Sequence, residues 1–100
     1  MSSLHVTWIQ SSGGNAVSPG AMINDIISGE IVTTSGTAAT SGVKPTGATH
    51  AIVTAIDANH YVTPRGLSVV AALGTGVPIV LGSFHCMAVP DSGKISAVTY

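Results

Sequence analysis

The sequence has very little charge. Asp, Glu, Lys and Arg account for seven of its 100 residues, whereas about a quarter is usual in globular domains. These seven are Asp25, Glu30, Lys44, Asp57, Arg65, Asp91 and Lys94. A freely diffusing monomer depends on interspersed surface charge to stay in solution. We therefore expect much of the surface to be covered by other subunits, and the chain to be a component of an assembly.

Basic residues and long apolar runs are also scarce. Lys44, Arg65 and Lys94 lie far apart and offer no stripe of positive charge to phosphates, so no nucleic-acid partner is expected. The most apolar stretch, residues 67–82, is interrupted well before the ~20 residues that a membrane span needs. No membrane partner is expected either.

Patterns that carry catalysis are missing as well. Cys86 is the only cysteine, which excludes an internal disulfide and a cysteine metal cage. The sequence GLSVV around Ser68 lacks the second glycine of a nucleophile elbow, and no two carboxylates are paired for acid–base catalysis. We therefore expect no enzymatic activity and no cofactor, with Cys86 buried and unreactive.

Histidine invites a metal-site interpretation, because imidazole is a common metal ligand. The histidines are His5, His50, His60 and His85. If residues 57–59 form a hairpin turn, His50 and His60 lie on the order of 20 Å apart along its strands. We expect no metal within one subunit. A metal site formed by three copies of one histidine around a threefold axis remains an alternative. The simpler interpretation is that the histidines are half-buried and form hydrogen bonds.

The spacing of turns predicts the fold class. Turn sequences recur roughly every eight to twelve residues, a spacing typical of all-β proteins. We predict a small β-sandwich or jelly roll of about eight strands. The expected strands are residues 4–9, 30–34, 49–56, 60–63, 68–73, 78–81, 84–89 and 94–99.

The predicted organisation is a single β-sandwich domain, residues 21–100, preceded by an N-terminal arm or edge strand, residues 1–20. A short helix competes with a strand near residues 20–28, because Met22 and Ile26 have the i, i+4 spacing of a helix face. Two hairpins are predicted, with turns at residues 57–59 and 90–93. In the second, Pro90 presets the backbone and Gly93 supplies a left-handed position.

Two uncharged segments are candidates for contact with other chains. The alternating N-terminal run is either an ordinary strand with Trp8 in the core or an arm that docks on a neighbour. Residues 33–42, TTSGTAATSG, hold nothing larger than threonine; we interpret them as strand, turn and strand edge at a subunit contact, with a mobile surface loop as the alternative. The candidate interface residues are Leu4, Val6, Trp8, Thr33, Thr34, Thr37 and Thr40.

Several turn motifs occur in a characteristic order. A Ser/Thr-rich strand leads to PTGA at residues 45–48, followed by an alternating strand, GVP at residues 76–78 and VPDSGKI at residues 89–95. In this order they resemble the short β-rich decoration or cement proteins encoded beside major capsid genes in tailed bacteriophages. The resemblance implies a homo-oligomer, commonly a trimer, that binds the major capsid protein on the capsid surface of the virion after synthesis in the host cytoplasm.

Other functions stay open at this point. The chain could be a phage tail or neck component rather than a head protein. It could also be a small sandwich that binds a ligand such as a glycan through aromatic side chains, of which the sequence offers only Trp8, Tyr61, Phe84 and Tyr100. A cupin-type enzyme is the least supported alternative, since no clustered histidine and carboxylate ligands are present.

Overall fold

The computed structural model describes residues 2–11, 23–65 and 76–100. Eight strands lie within these described residues: β1 (Ser2–Ser11), β2 (Ile23–Thr34), β3 (Ala39–Thr40), β4 (His50–Ala55), β5 (His60–Arg65), β6 (Val77–Ile79), β7 (Phe84–Ala88) and β8 (Lys94–Thr99). They form two four-stranded antiparallel sheets: sheet A, ordered β2-β1-β4-β7, and sheet B, ordered β3-β8-β5-β6. The predicted all-β sandwich is confirmed. The strand predicted at residues 68–73 lies outside the described residues.

The strand pairs are nested along the chain. β5 pairs with β6, β4 with β7 and β3 with β8, so that each pair encloses the one before it. In a fully nested series the partner of β2 would follow β8, but here β2 pairs with β1. Nested pairing folded into two sheets is the topology of a jelly roll, with its outermost strand supplied by the beginning of the sequence.

The short helix predicted near residues 20–28 is wrong for residues 23–28, which belong to β2; residues 20–22 lie outside the described residues. Pairing with β1 supplies the backbone hydrogen bonds that a helix would have made internally. Two register shifts in this pairing leave Asn24 and Ile27 as extra residues on β2. These bulges interrupt the strict alternation of a strand, so the apolar residues of this segment lack the period of two that would have predicted one.

Both predicted hairpins are also wrong. Residues 57–59 form a turn, but it crosses from sheet A to sheet B: β4 pairs with β1 and β7, and β5 pairs with β6 and β8. The two strands therefore face each other across the core, and Val53 of β4 and Val62 of β5 are both fully buried there. Each strand has an apolar face that requires cover, and crossing between sheets buries both faces at once.

The turn at residues 90–93 is likewise a crossing, from β7 in sheet A to β8 in sheet B. Its backbone closes through a hydrogen bond from Gly93 N to Pro90 O of 2.9 Å. The left-handed residue is Ser92, with φ of 61°, and not Gly93 as expected. A positive φ at the third position is the requirement of a type II turn, so the conformational demand falls one residue earlier than predicted.

The core lies between the sheets and centres on β1. Alternate residues of β1 point inward and are completely buried, opposite the inward side chains of β4. Residues 2–11 therefore form an interior strand of sheet A, paired on both sides, where the sequence suggested an arm or an edge strand. Within the described ranges, no helix has the length and apolarity needed to cross a membrane.

Candidate functional site

The candidate interface residues of β1 are not available to another chain in this fold. Leu4, Val6 and Trp8 are all core residues with at most 1% of their surface exposed. The indole Nε1 of Trp8 donates to Glu30 Oε2 at 3.2 Å, so its one polar group is satisfied within the chain. The interpretation that holds is the ordinary strand with Trp8 in the core.

The threonine candidates separate into exposed and buried residues. Thr33, Thr37 and Thr40 are exposed, beside the outer edges of β2 and β3. Thr34, one residue from Thr33, is buried, because successive residues of a strand point to opposite faces. The tract at residues 33–42 has the predicted strand, turn and strand-edge structure, and three of its four candidates could touch a partner.

Thr34 joins the two sheets through a histidine. Its Oγ1 lies 2.6 Å from Nε2 of the fully buried His60, and His60 Nδ1 lies 2.9 Å from the carbonyl oxygen of Ala58. A carbonyl only accepts, so Nδ1 carries the proton and Nε2 accepts from the threonine hydroxyl. Burial lowers the pKa of His60, against smaller raising effects of the Ala58 hydrogen bond and the Asp57 charge. This neutral imidazole is a structural link.

The remaining histidines do not assemble a metal site. His50 is buried and its Nδ1 lies 2.8 Å from Thr49 Oγ1, whereas His5 is half-buried and His85 is exposed. His50 lies in sheet A and His60 in sheet B. Among residues 2–11, 23–65 and 76–100 no three His, Cys, Asp or Glu side chains are grouped closely enough to hold a metal ion.

Cys86 is a buried free cysteine on β7. Burial raises the pKa of its thiol, which lowers the fraction of thiolate at neutral pH. Since the thiolate is the nucleophile and a raised pKa suppresses it, this environment is that of an inert cysteine.

A cluster of exposed apolar side chains lies at one end of the sandwich, where β4 and β6 end and β7 begins. We call it the apolar end. Its members and their exposed fractions are Ile56 (47%), Val80 (55%), Leu81 (57%) and Phe84 (63%). A large apolar side chain offers roughly 200 Å² when uncovered, so these four expose about 450 Å². That is within the ~300–600 Å² typical of the largest patch on a monomer, and such patches are often functional.

Hydrogen bonds hold the loops of the apolar end together. Gly82 N donates to Ala55 O at 2.9 Å, and Ala55 N donates to Ser83 O at 3.0 Å, which joins the turn after β6 to the end of β4. Asn59 Oδ1 accepts from Leu81 N at 2.8 Å. Gly82 has φ of 84°, a conformation that a residue without Cβ adopts without strain. The apolar side chains are therefore presented on a preformed loop.

The opposite end carries the two turn motifs and Lys44, whose side chain is 10% exposed. Lys44 N donates to Gly93 O at 2.8 Å, which brings residues 45–48 and 90–93 together. The Lys44 ammonium lies 3.0 Å from Asp91 Oδ1 and 3.2 Å from Val89 O. A cavity of about 390 Å³ is lined by residues 43–48, 91 and 92. Because the lysine charge is already paired, we do not assign this cavity a ligand.

No protein-family model, no curated protein sequence and no solved structure matches the chain.

The apolar end was missed at the level of sequence. The pattern predicts strands at residues 78–81 and 84–89, in an uncharged and mostly apolar region typical of buried strand. The available signal was the Gly82-Ser83 pair, which marks a turn inside a run of large apolar residues. Apolar side chains next to a turn are exposed more often than those within a strand.

Proposed function

We propose that this protein is a non-enzymatic structural component of a tailed-phage virion, a decoration protein that self-associates and binds the capsid lattice. The observation that carries the proposal is the apolar end on a chain with seven charged residues. Uncharged, preformed surface of this kind suits permanent burial against other proteins. The two turn motifs in which the chain resembles decoration proteins add support, since they meet at one end of the fold.

The size of the apolar end explains why many copies would act together. Covering about 450 Å² at ~25 cal/mol per Å² contributes on the order of 11 kcal/mol. Lost rotational and translational freedom offsets about 4–15 kcal/mol of that. One such contact is therefore marginal alone, whereas an oligomer that makes several contacts with a lattice binds firmly. A lattice stabilised by many modest contacts resists internal pressure.

Co-sedimentation with shells of the major capsid protein encoded in the same genome tests the proposal. We expect the wild-type chain to pellet with shells. Val80→Ser at the apolar end removes roughly 90 Å² of buried apolar contact, about 2 kcal/mol, and weakens each contact about 30-fold.

Val43 provides a matched control, because it is 53% exposed, close to Val80 at 55%, and lies at the opposite end. Val43→Ser should leave shell binding unchanged. A wild-type chain that stays monomeric at high concentration and does not pellet with shells would contradict the proposal. Equal weakening by both variants would show that the apolar end is not the contact.

Two alternatives have their own tests. Immunogold labelling of particles distinguishes head from tail or neck, since a tail component would be labelled below the capsid. Trp8 is buried and cannot stack on a glycan, which weakens the glycan-binding alternative. Of the remaining aromatics, Tyr61 and Tyr100 contact each other with ring centroids 4.3 Å apart, and binding on a glycan array would favour that alternative.

A further inference from the structure

The open edges of the two sheets differ in how well they are protected. Within the described residues, β2 and β7 end sheet A, and β3 and β6 end sheet B. Proteins prevent unwanted strand addition at an edge by shortness, proline, lysine or bulges. β3 has 2 residues, β6 has 3 and includes Pro78, and β7 has 5, whereas β2 has 12. Only β2 is long enough to accept a strand along much of its length.

The second half of β2 has none of these protections. Residues 28–34 pair with β1 without a register shift and contain neither lysine nor proline. Their one charge, Glu30, lies on the inward face opposite Val6. Its carboxylate accepts from Trp8 Nε1 at 3.2 Å and from Gly42 N at 2.9 Å. The half-buried carboxylate is thus held towards the inner face by groups of its own chain and does not guard the edge.

The pairing of β1 determines which backbone groups of β2 are free. Ser3 O accepts from Ile56 N next to β4, so the backbone of Ser3 bonds towards β4. Backbone direction alternates along a strand, so Leu4 bonds to the other side, towards its partner Val32 of β2.

The same alternation continues along β2. Since Val32 bonds towards β1, the N–H and C=O groups of Gly29, Ile31 and Thr33 point away from it. No loop backbone of the described residues bonds to these groups. The side chain of Ile31 is 58% exposed, and Thr33 is exposed as well.

We propose that this edge pairs with the same edge of a second copy, antiparallel, about a twofold axis that passes midway between the two copies of Ile31. The two sheets A then become one continuous sheet. Ile31 lies opposite Ile31 of the copy, and Gly29 lies opposite its Thr33, each pair exchanging both backbone hydrogen bonds.

A second copy fits this edge better than an unrelated strand, because the register is self-complementary. Glu30 lies opposite the copy's Val32, so no charge meets a like charge. Each Ile31 covers the exposed side chain of the other. The adjacent residues 33–42 hold nothing larger than threonine, which lets a second backbone approach closely. A strand pair of this length buries less than the ~1,600 Å² of a standard interface, so we expect a dimer with a Kd of roughly micromolar order.

This inference rests on the self-association in the proposed function, but it specifies a dimer where the resemblance implied a trimer. Sedimentation equilibrium of the full chain from roughly 1 µM to 1 mM should show monomer and dimer. Ile31→Pro removes an outward N–H that β1 does not use, and should raise the dimer Kd at least about 100-fold with an unchanged circular dichroism spectrum.

Ala88→Pro is the matched control, a proline on the other open edge of sheet A. Val89 N donates to Thr49 O beside β4, so the neighbouring Ala88 backbone faces away from β4. Ala88→Pro should leave the dimer intact. Loss of the dimer in both variants would assign the effect to general damage and overturn the assignment of the contact to β2.

Charge exchange at one position tests the twofold register itself. Ile31→Lys and Ile31→Glu should each be monomeric, because like charges lie directly opposite, and their equimolar mixture should dimerise. A wild-type trimer or monomer, a dimer that survives Ile31→Pro, or a mixture that stays monomeric would overturn the inference. A wild-type dimer that does not pellet with shells would instead contradict the proposed function and leave the twofold contact standing.

Discussion

The hydroxyl of Thr34 donates a hydrogen bond to Nε2 of His60, with 2.6 Å between the two atoms. Thr34→Val keeps the size and β-branching of the side chain and removes the hydroxyl. His60 is completely buried, so water cannot replace the lost donor. An unsatisfied buried acceptor costs about 1–3 kcal/mol. We therefore expect the free energy of unfolding to fall by that amount.

Thermal or urea unfolding followed by circular dichroism measures the loss. For a domain of about 100 residues, 1 kcal/mol corresponds to roughly 4–8 °C in Tm. Thr33→Val is the matched control: the neighbouring threonine is exposed, and its replacement should change stability by less than about 0.5 kcal/mol.

A double variant separates the hydrogen bond from packing. Thr34→Val combined with His60→Leu removes both partners of the inter-sheet hydrogen bond, and the lost bond to the Ala58 carbonyl is already counted in the His60→Leu single variant. The double variant should therefore lose less stability than the two single losses added together. If Thr34→Val is as stable as the wild type, or if the losses simply add, the inter-sheet hydrogen bond does not stabilise the fold as described.

Three further predictions concern pH, reactivity and backbone strain. Burial lowers the pKa of His60 below the ordinary value of 6.5, so between these two pKa values the unfolded chain binds a proton at His60 that the folded chain does not. The contribution of His60 to the free energy of unfolding is therefore complete above pH 6.5 and falls as the pH drops through this range. Denaturant titrations at several pH values should show this slope in the wild type and its loss in His60→Gln. Cys86 should react with a thiol reagent far more slowly in native buffer than in urea, and equal rates would contradict its burial. Gly82→Ala should lower Tm by a few degrees through strain at φ of 84° alone, since a Cβ there meets no atom within 4 Å, and an unchanged Tm would refute this.

Turn chemistry was readable from the sequence, but the partners of the flanking strands were not. The turns at residues 57–59 and 90–93 were located correctly, and the strands on both sides of each were expected. A hairpin and a crossing between sheets can use the same local residues, such as Pro90 and Ser92. In a hairpin the two flanking strands pair within one sheet, whereas in a crossing they lie in different sheets and face each other across the core. Which of the two forms depends on pairing with strands distant in the sequence.

For the interface candidates, too, the local pattern was visible in the sequence but its orientation was not. Alternation along residues 33 and 34 indicates that one threonine points inward and the other outward, but not which. The choice follows from pairing with β1, which sets Thr34 opposite Ser2 and turns it towards His60. Similarly, the apolar pattern of Leu4, Val6 and Trp8 was evident, whereas their burial in the centre of sheet A required β2 and β4 on either side.

The all-β class and the positions of the turns followed from local properties of the chain, namely period-2 alternation, turn residues and composition. Strand pairing in three dimensions made β1 an interior strand and turned the predicted hairpins into crossings. It also left the apolar end exposed and, within the described residues, one edge of β2 unpaired. Those features depend on which strands meet across long stretches of chain. The burial of a side chain is a property of the whole sandwich, and no local pattern contains it.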